Sequence, residues 1–263
     1  MTGMATIIRV LWAISIATGL LIVLIMTAKK QYRDFSAIYA YLLLNLAQAA
    51  VIYWVYSTKG FSSWPAYWTG WISQGLIVLA RWFAVCELCR AILGQFEGIW
   101  ALSWRVLAFL GAIVLIVAIA IGGHDFVRLI NTFDLGIELS IASVLVGFFL
   151  FARFYNVRIE QSLRSIGIAF CLYSCFRSFN DSFLQKFLQT YAPTWTLVDE
   201  VTHVATLVLI GSALYVLQER PIHRINLLPR AAYGEIIPMT NDRLVALNQR
   251  LRELLKSSAG GKV

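Results

Sequence analysis

Between Val106 and Gly122 the chain reads VLAFLGAIVLIVAIAIG, a stretch in which no side chain ionises or hydrogen-bonds. A helix needs about 20 predominantly apolar residues to cross the hydrocarbon core of a bilayer. The segment 103–122 meets that length, and six others do so as well: 6–28, 36–57, 67–92, 129–152, 165–187 and 195–217. In lipid the backbone must satisfy its own polar groups, so each segment is expected to be helical. The expected fold is an all-α membrane protein, a seven-transmembrane-helix bundle. Composition agrees: the chain is 59% hydrophobic and 14% charged, where a soluble domain carries about 25% charged residues. The first apolar run is longer than the core of a secretory signal and lacks a small-residue cleavage site, so it too reads as a span.

Basic residues set the expected orientation. One side of the membrane would receive Lys29, Lys30, Arg33, Arg90, Arg105, Arg153, Arg158, Arg164 and every basic residue from Arg220 onward. The other side would receive only Arg9, Lys59, Arg128 and Lys186. The positive-inside rule then places the N-terminus outside and the C-terminus in the cytoplasm of a multi-pass protein of the cell membrane. The loops are short, which makes consecutive helices antiparallel neighbours. Trp64, Tyr67, Trp68 and Trp71 sit where interfacial aromatics belong at the start of the third span.

Residues 218–263 form a basic tail. Its end, NDRLVALNQRLRELLKSS, is expected to be an amphipathic helix over about 241–257 with Asn241 as N-cap. Leu244, Leu247, Leu251 and Leu254 make a seam shorter than two heptads, too short to be stable alone. With Arg243, Arg250, Arg252 and Lys256 around it, the helix suits anionic inner-leaflet lipids. A cytoplasmic protein partner or a homodimer through the four leucines is the other reading.

The net charge of +8 lies in loops and tail rather than in one patch, which argues against nucleic acid. All four cysteines, Cys86, Cys89, Cys171 and Cys175, fall inside apolar runs, so no secreted disulfide framework is expected. A four-thiolate metal site is the sharp reading of these pairs, and small buried thiols at helix contacts are the plain one. The last span has no lysine for a retinal Schiff base, and the spans lack the facing histidine pairs of a di-haem protein. No phosphate-binding glycine loop appears. Ser140 and Thr202 have no nucleophile motif around them, so the enzymatic alternative is intramembrane hydrolysis by carboxylates or a metal. The chain is expected not to be an enzyme and to hold no cofactor.

Ionisable groups within a span are costly and mark function or pairing. At about 1.5 Å per residue, Asp199, Glu200 and His203 of the seventh span fall in the outer layer of the bundle. Arg177, Asn180 and Asp181 of the sixth and Asp134 and Glu138 of the fifth reach the same layer. Five acids thus face Arg177 and His203, an excess that protonation, a cation, an amine or water would balance. The layer either fastens helices together or lines an outward-facing acidic cavity that binds a cationic or polar solute or senses protons. A metal held by His203, Asp199, Asp181 and Glu138 would lack any recognised ligand spacing. Lower down lies a second group, with Arg81 between Gln74 and Glu87, and with Asn45 and Gln48 close to its level. Arg81 is expected to be structural or gating, and Glu87 to pair locally with Arg90.

These features lead to an integral membrane sensor or signal-transducing module that relays to a separate cytoplasmic partner. A solute, cation or proton transporter or channel, or a structural subunit of a larger membrane complex, is the alternative.

Overall fold

The computed structural model describes residues 2–60, 62–94, 97–154, 159–180 and 192–217, together with Asp242, Val245 and Gln249. The chain divides into two units, Met1–Glu219 and Arg220–Val263. The first contains seven helices among the described residues: α1 (Thr2–Ala28), α2 (Ser36–Lys59), α3 (Trp64–Leu93), α4 (Glu97–Gly122), α5 (Phe126–Phe154), α6 (Gln161–Phe179) and α7 (Ala192–Val216). A short 3-10 turn, Gln31–Arg33, joins α1 to α2. Five helices (α1, α2, α4, α5 and α7) are long and apolar enough to cross a membrane. The chain is a helical, multi-pass membrane protein whose apolar surface contacts lipid. In the second unit Asp242, Val245 and Gln249 are helical; Asn241 and the seam of Leu244, Leu247, Leu251 and Leu254 lie outside the described residues.

Most helices overrun the apolar segments by two to six residues, because apolarity marks the hydrocarbon-embedded part while a helix continues to its cap. Helix α3 begins at Trp64, where Ser63 Oγ accepts the Ala66 N–H at 3.3 Å and Pro65 occupies the first turn. Helix α5 begins after Asp125, whose Oδ1 accepts from the N–H groups of Val127 and Arg128 at 3.1 and 3.2 Å. The α4–α5 turn before it depends on glycine twice. Gly123 has φ +52°, and a Cβ on Gly122 would meet the Leu129 backbone at 2.6 Å.

Helices α1, α2, α3, α5, α6 and α7 close a ring in that order, with α7 returning to α1. Helix α4 lies outside it against α5 and α3, and α3 also reaches α6. The half of the bundle nearer the Gln31–Arg33 turn has a mainly apolar core that includes Met26, Ile38, Leu42, Val85, Ile141, Ile166, Phe170 and Leu214, all fully buried. That turn is fastened to the end of α7. Gln31 Nε2 donates to the carbonyls of Leu214 (3.0 Å) and Leu217 (2.8 Å), and Lys29 Nζ donates to the Tyr215 carbonyl (2.5 Å). These carbonyls are among the four that a helix C-terminus leaves without partners.

The expected Glu87–Arg90 pair does not form. Arg90 is exposed, whereas Glu87 turns inward to the start of α2. There its Oε2 accepts from the Ala37 and Ile38 N–H groups at 2.9 and 3.0 Å, and its Oε1 accepts from Ser36 Oγ at 3.1 Å. The reason is local: Phe35 at the N-cap offers no capping oxygen, and a carboxylate on the positive end of a helix dipole is favourable. Glu87→Ala is therefore expected to lower stability by about 1–2 kcal/mol, and Arg90→Ala to change it by less than about 0.5 kcal/mol. Unfolding of the two variants in detergent checks this; equal losses would reinstate the local pair.

Candidate functional site

Three helices place their polar residues on facing surfaces. On α5, Asp134 and Glu138 are four residues apart and share a face. On α3, Gln74 and Arg81 are two turns apart, and on α6 Tyr173 and Arg177 are one turn apart. Packing joins them into two rungs. In the upper rung Asp134 Oδ2 accepts from Gln74 Nε2 and Arg177 Nη2, each at 2.9 Å. In the lower rung Arg81 Nη1 pairs with Glu138 Oε1, and the two side chains are 3% and 0% exposed. The Arg81 guanidinium also lies 4.8 Å from the centroid of the Tyr173 ring and 5.7 Å from that of Tyr41. Cation–π contact of this kind is strongest where the cation is desolvated.

A cavity of about 200 Å³ opens beside the rungs. Arg81 and Gln74 of α3 and Tyr173 and Arg177 of α6 form one wall. Helix α7 supplies Asp199, Glu200 and His203, spaced so that all three reach the same space. Helices α1 and α2 close it with Trp12 and Ser15 and with Asn45 and Gln48. Arg177 Nη1 donates to the Tyr173 hydroxyl at 3.1 Å and stands 3.9 Å from Asp199 Oδ2. The His203 ring lies 5.7 Å from that of Tyr173, and Gln48 Nε2 donates to Ser73 Oγ at 3.0 Å. Glu200 forms no ion pair and accepts no hydrogen bond among the described residues. Beyond Arg81 the buried side chains of Tyr41 and Phe170 begin the mainly apolar half of the core.

The expected site residues therefore separate into two sets. Asp134 and Glu138 stand behind the arginines as counter-ions, while Asp199, Glu200 and His203 face the cavity. Arg81 belongs to this site and not to a lower group of its own, because its partner is Glu138 of the same layer. Its neighbour in that expected group, Glu87, caps α2. Asn180 is buried at the end of α6 and does not line the cavity; Asp181 lies outside the described residues. No three metal-ligating side chains gather among the described residues, and Glu138 is committed to Arg81. Cys86 and Cys89 are buried in α3, whereas Cys171 is half-buried and Cys175 exposed on α6, so the four thiols do not converge.

Trp12, Ser15, Tyr41 and Tyr173 escaped the sequence reading. Tyr173 carries a faint signal, standing one turn before Arg177. Trp12 and Ser15 carry none, since an interfacial Trp or a lone Ser in an apolar helix is ordinary. Compared with known protein families, with curated proteins and with solved structures, the chain matches none.

The rungs and the cavity wall should respond oppositely to neutralisation. Glu138→Gln leaves the buried Arg81 without its counter-charge and is expected to cost about 3–5 kcal/mol of stability. Glu200→Gln and His203→Ala are expected to melt at or above wild type, since functional sites commonly hold unpaired groups at the expense of stability. Thermal unfolding in detergent compares all three. A loss of several kcal/mol at Glu200 or His203 would make the cavity wall a fastener.

Proposed function

We propose that the chain is a seven-span sensor of the cell membrane that binds a solute in this cavity and relays binding to a cytoplasmic partner. Its N-terminus lies outside and its tail inside. Helices α3 and α6 fall short on apolarity because they carry the polar rungs in the interior. Each nevertheless has an apolar outer stripe: Ile72, Leu76, Leu79 and Phe83 on α3, and Ile168, Leu172 and Phe179 on α6, all exposed. Such stripes suit lipid, so all seven helices are taken to span. The distribution of lysine and arginine supports the orientation.

The observation that carries the sensor reading is that the polar space stops. It ends at Arg81 and Glu138, and the buried side chains beyond them are mainly apolar, with Ser140, Ser162, Ser174 and Gln31 as the polar exceptions among the described residues. The helix bearing Asp199, Glu200 and His203 is gripped at its other end by Lys29 and Gln31. A ligand that shifts or rotates α7 would strain that grip, and the next residues of the chain lead toward the tail. The tail's basic helix would then meet anionic lipid or a partner protein.

Transport is the second reading. Asn45, Gln74 and Arg81 do line one cavity, as a polar pathway would require, but passage also needs an opening through the apolar half. Two measurements separate these. A fluorescent protein fused to the C-terminus is expected to fluoresce and an alkaline phosphatase fused there to be inactive; the reverse would invert the orientation. Purified protein in liposomes is expected to bind solute without moving it, and counterflow of a bound solute would replace the sensor by a transporter.

A further inference from the structure

We infer that the cavity takes a small organic amine with an oxygen acceptor at its other end, its ammonium held by Asp199 and Glu200. This rests on the reading of the cavity as a solute site and names the chemistry of that solute.

The sign of the ligand's charge follows from how the cavity's own charges are spent. Arg81 is taken by Glu138 and Arg177 by Asp134, both from α5. Those pairings leave Glu200 of α7 without a counter-ion and Asp199 with only a long, shared approach to Arg177, and both residues line the cavity. Glu200 accepts nothing among the described residues. Asp199 Oδ1 is enclosed and has no hydrogen-bond partner, while Oδ2 stands 3.9 Å from Arg177, beyond a direct hydrogen bond. An anion entering here would meet both acids, whereas a cation would meet acceptors.

The kind of cation follows from the rest of the lining. Calcium or magnesium would want six or more oxygens at about 2.0–2.6 Å, and no three metal-ligating side chains gather among the described residues. Aromatic rings take their place. A Cβ on Gly211 would meet the Ile22 side chain at 2.9 Å, a close approach that sets α1 beside α7 as parallel neighbours. Ten residues back from Ile22 is Trp12, and eleven back from Gly211 is Glu200, so the indole and the acids stand at one level. The indole, which stacks on Tyr53 with ring centroids 6.2 Å apart, thus lines the same cavity as the carboxylates, and an aromatic ring near carboxylates suits an alkylammonium.

Size and polarity at the far end follow from Arg81. A dry cavity of about 150 Å³ holds benzene, so about 200 Å³ admits an amine with a short carbon body. At its deep end Arg81 is 2% exposed, and its Nε lacks a hydrogen-bond partner although the residue lines the cavity. A buried N–H left unsatisfied is costly; a hydroxyl or carbonyl oxygen on the ligand would accept from it. Ser15 and Asn45, which form no hydrogen bond among the described residues, are available along the way.

The test uses the full chain in lipid nanodiscs and a panel of ω-amino alcohols from ethanolamine to 6-amino-1-hexanol. Matching diols and ω-hydroxycarboxylates serve as neutral and anionic controls. A saturable rise in melting temperature with one or more amino alcohols, absent with the controls, is expected. Glu200→Gln and Asp199→Asn should each weaken that binding about tenfold or more, as loss of a charge-assisted hydrogen bond does. Stabilisation by the hydroxycarboxylates or diols instead, or by nothing in the panel, overturns the amine. Labelling of Ser15→Cys with a small methanethiosulfonate, read as added mass over wild type, runs alongside. If that cysteine labels, the cavity is open and only the ligand class falls. If it does not, the solute-binding reading falls with it.

Discussion

A guanidinium and a carboxylate buried together, Arg81 of α3 and Glu138 of α5, hold the centre of the bundle. Neither charge is tolerable alone at that depth, because an ion removed from water costs several kcal/mol unless matched. The pair therefore dictates which faces of α3 and α5 meet and at what register. One turn above on α5, Asp134 adds Gln74 of α3 and Arg177 of α6 to the same arrangement. Three helices are thereby fixed in rotation as well as in position. Apolar packing alone cannot do this in lipid, where the surroundings are as apolar as the side chains.

With both arginines held by α5, the acids of α7 are left to face the cavity, and Arg177 touches the edge of that space without filling it. Helix α7 is held differently from its neighbours. It packs on α1 and α6, and its far end is gripped by Gln31 and Lys29 through backbone carbonyls. The bundle thus contains a polar bolt through α3, α5 and α6 beside a helix that packs on α1 and α6 and is held at one end through its backbone carbonyls.

Much of the architecture was legible in the residues. The seven apolar runs correspond to seven helices among the described residues, since backbone hydrogen bonding in an apolar medium leaves few other options. The caps of α3 and α5 follow from Ser63, Pro65 and Asp125 by ordinary local rules. The polar layer was legible as a layer, because helical rise converts sequence position into depth. Its internal pairing was not. Depth does not say which helix faces which, so Glu87 was expected with its near neighbour Arg90 and the acid that neutralises Arg81 was left open, where the structure puts Glu138 of α5.

Sequence alone determined that the chain lives in lipid, that it is helical, and that Asp134, Glu138, Arg177, Asp199, Glu200 and His203 fall in one layer of the bundle. Each of these depends on length, apolarity and the rise of a helix, which are properties of one segment at a time. Only the tertiary structure decided which acids neutralise the arginines and which line open space. It also decided that Glu87 caps another helix and that Trp12, Ser15 and Tyr173 join the site. Those outcomes depend on helix rotation and on neighbours remote in the chain, set by a few buried charges that each tolerate only one partner.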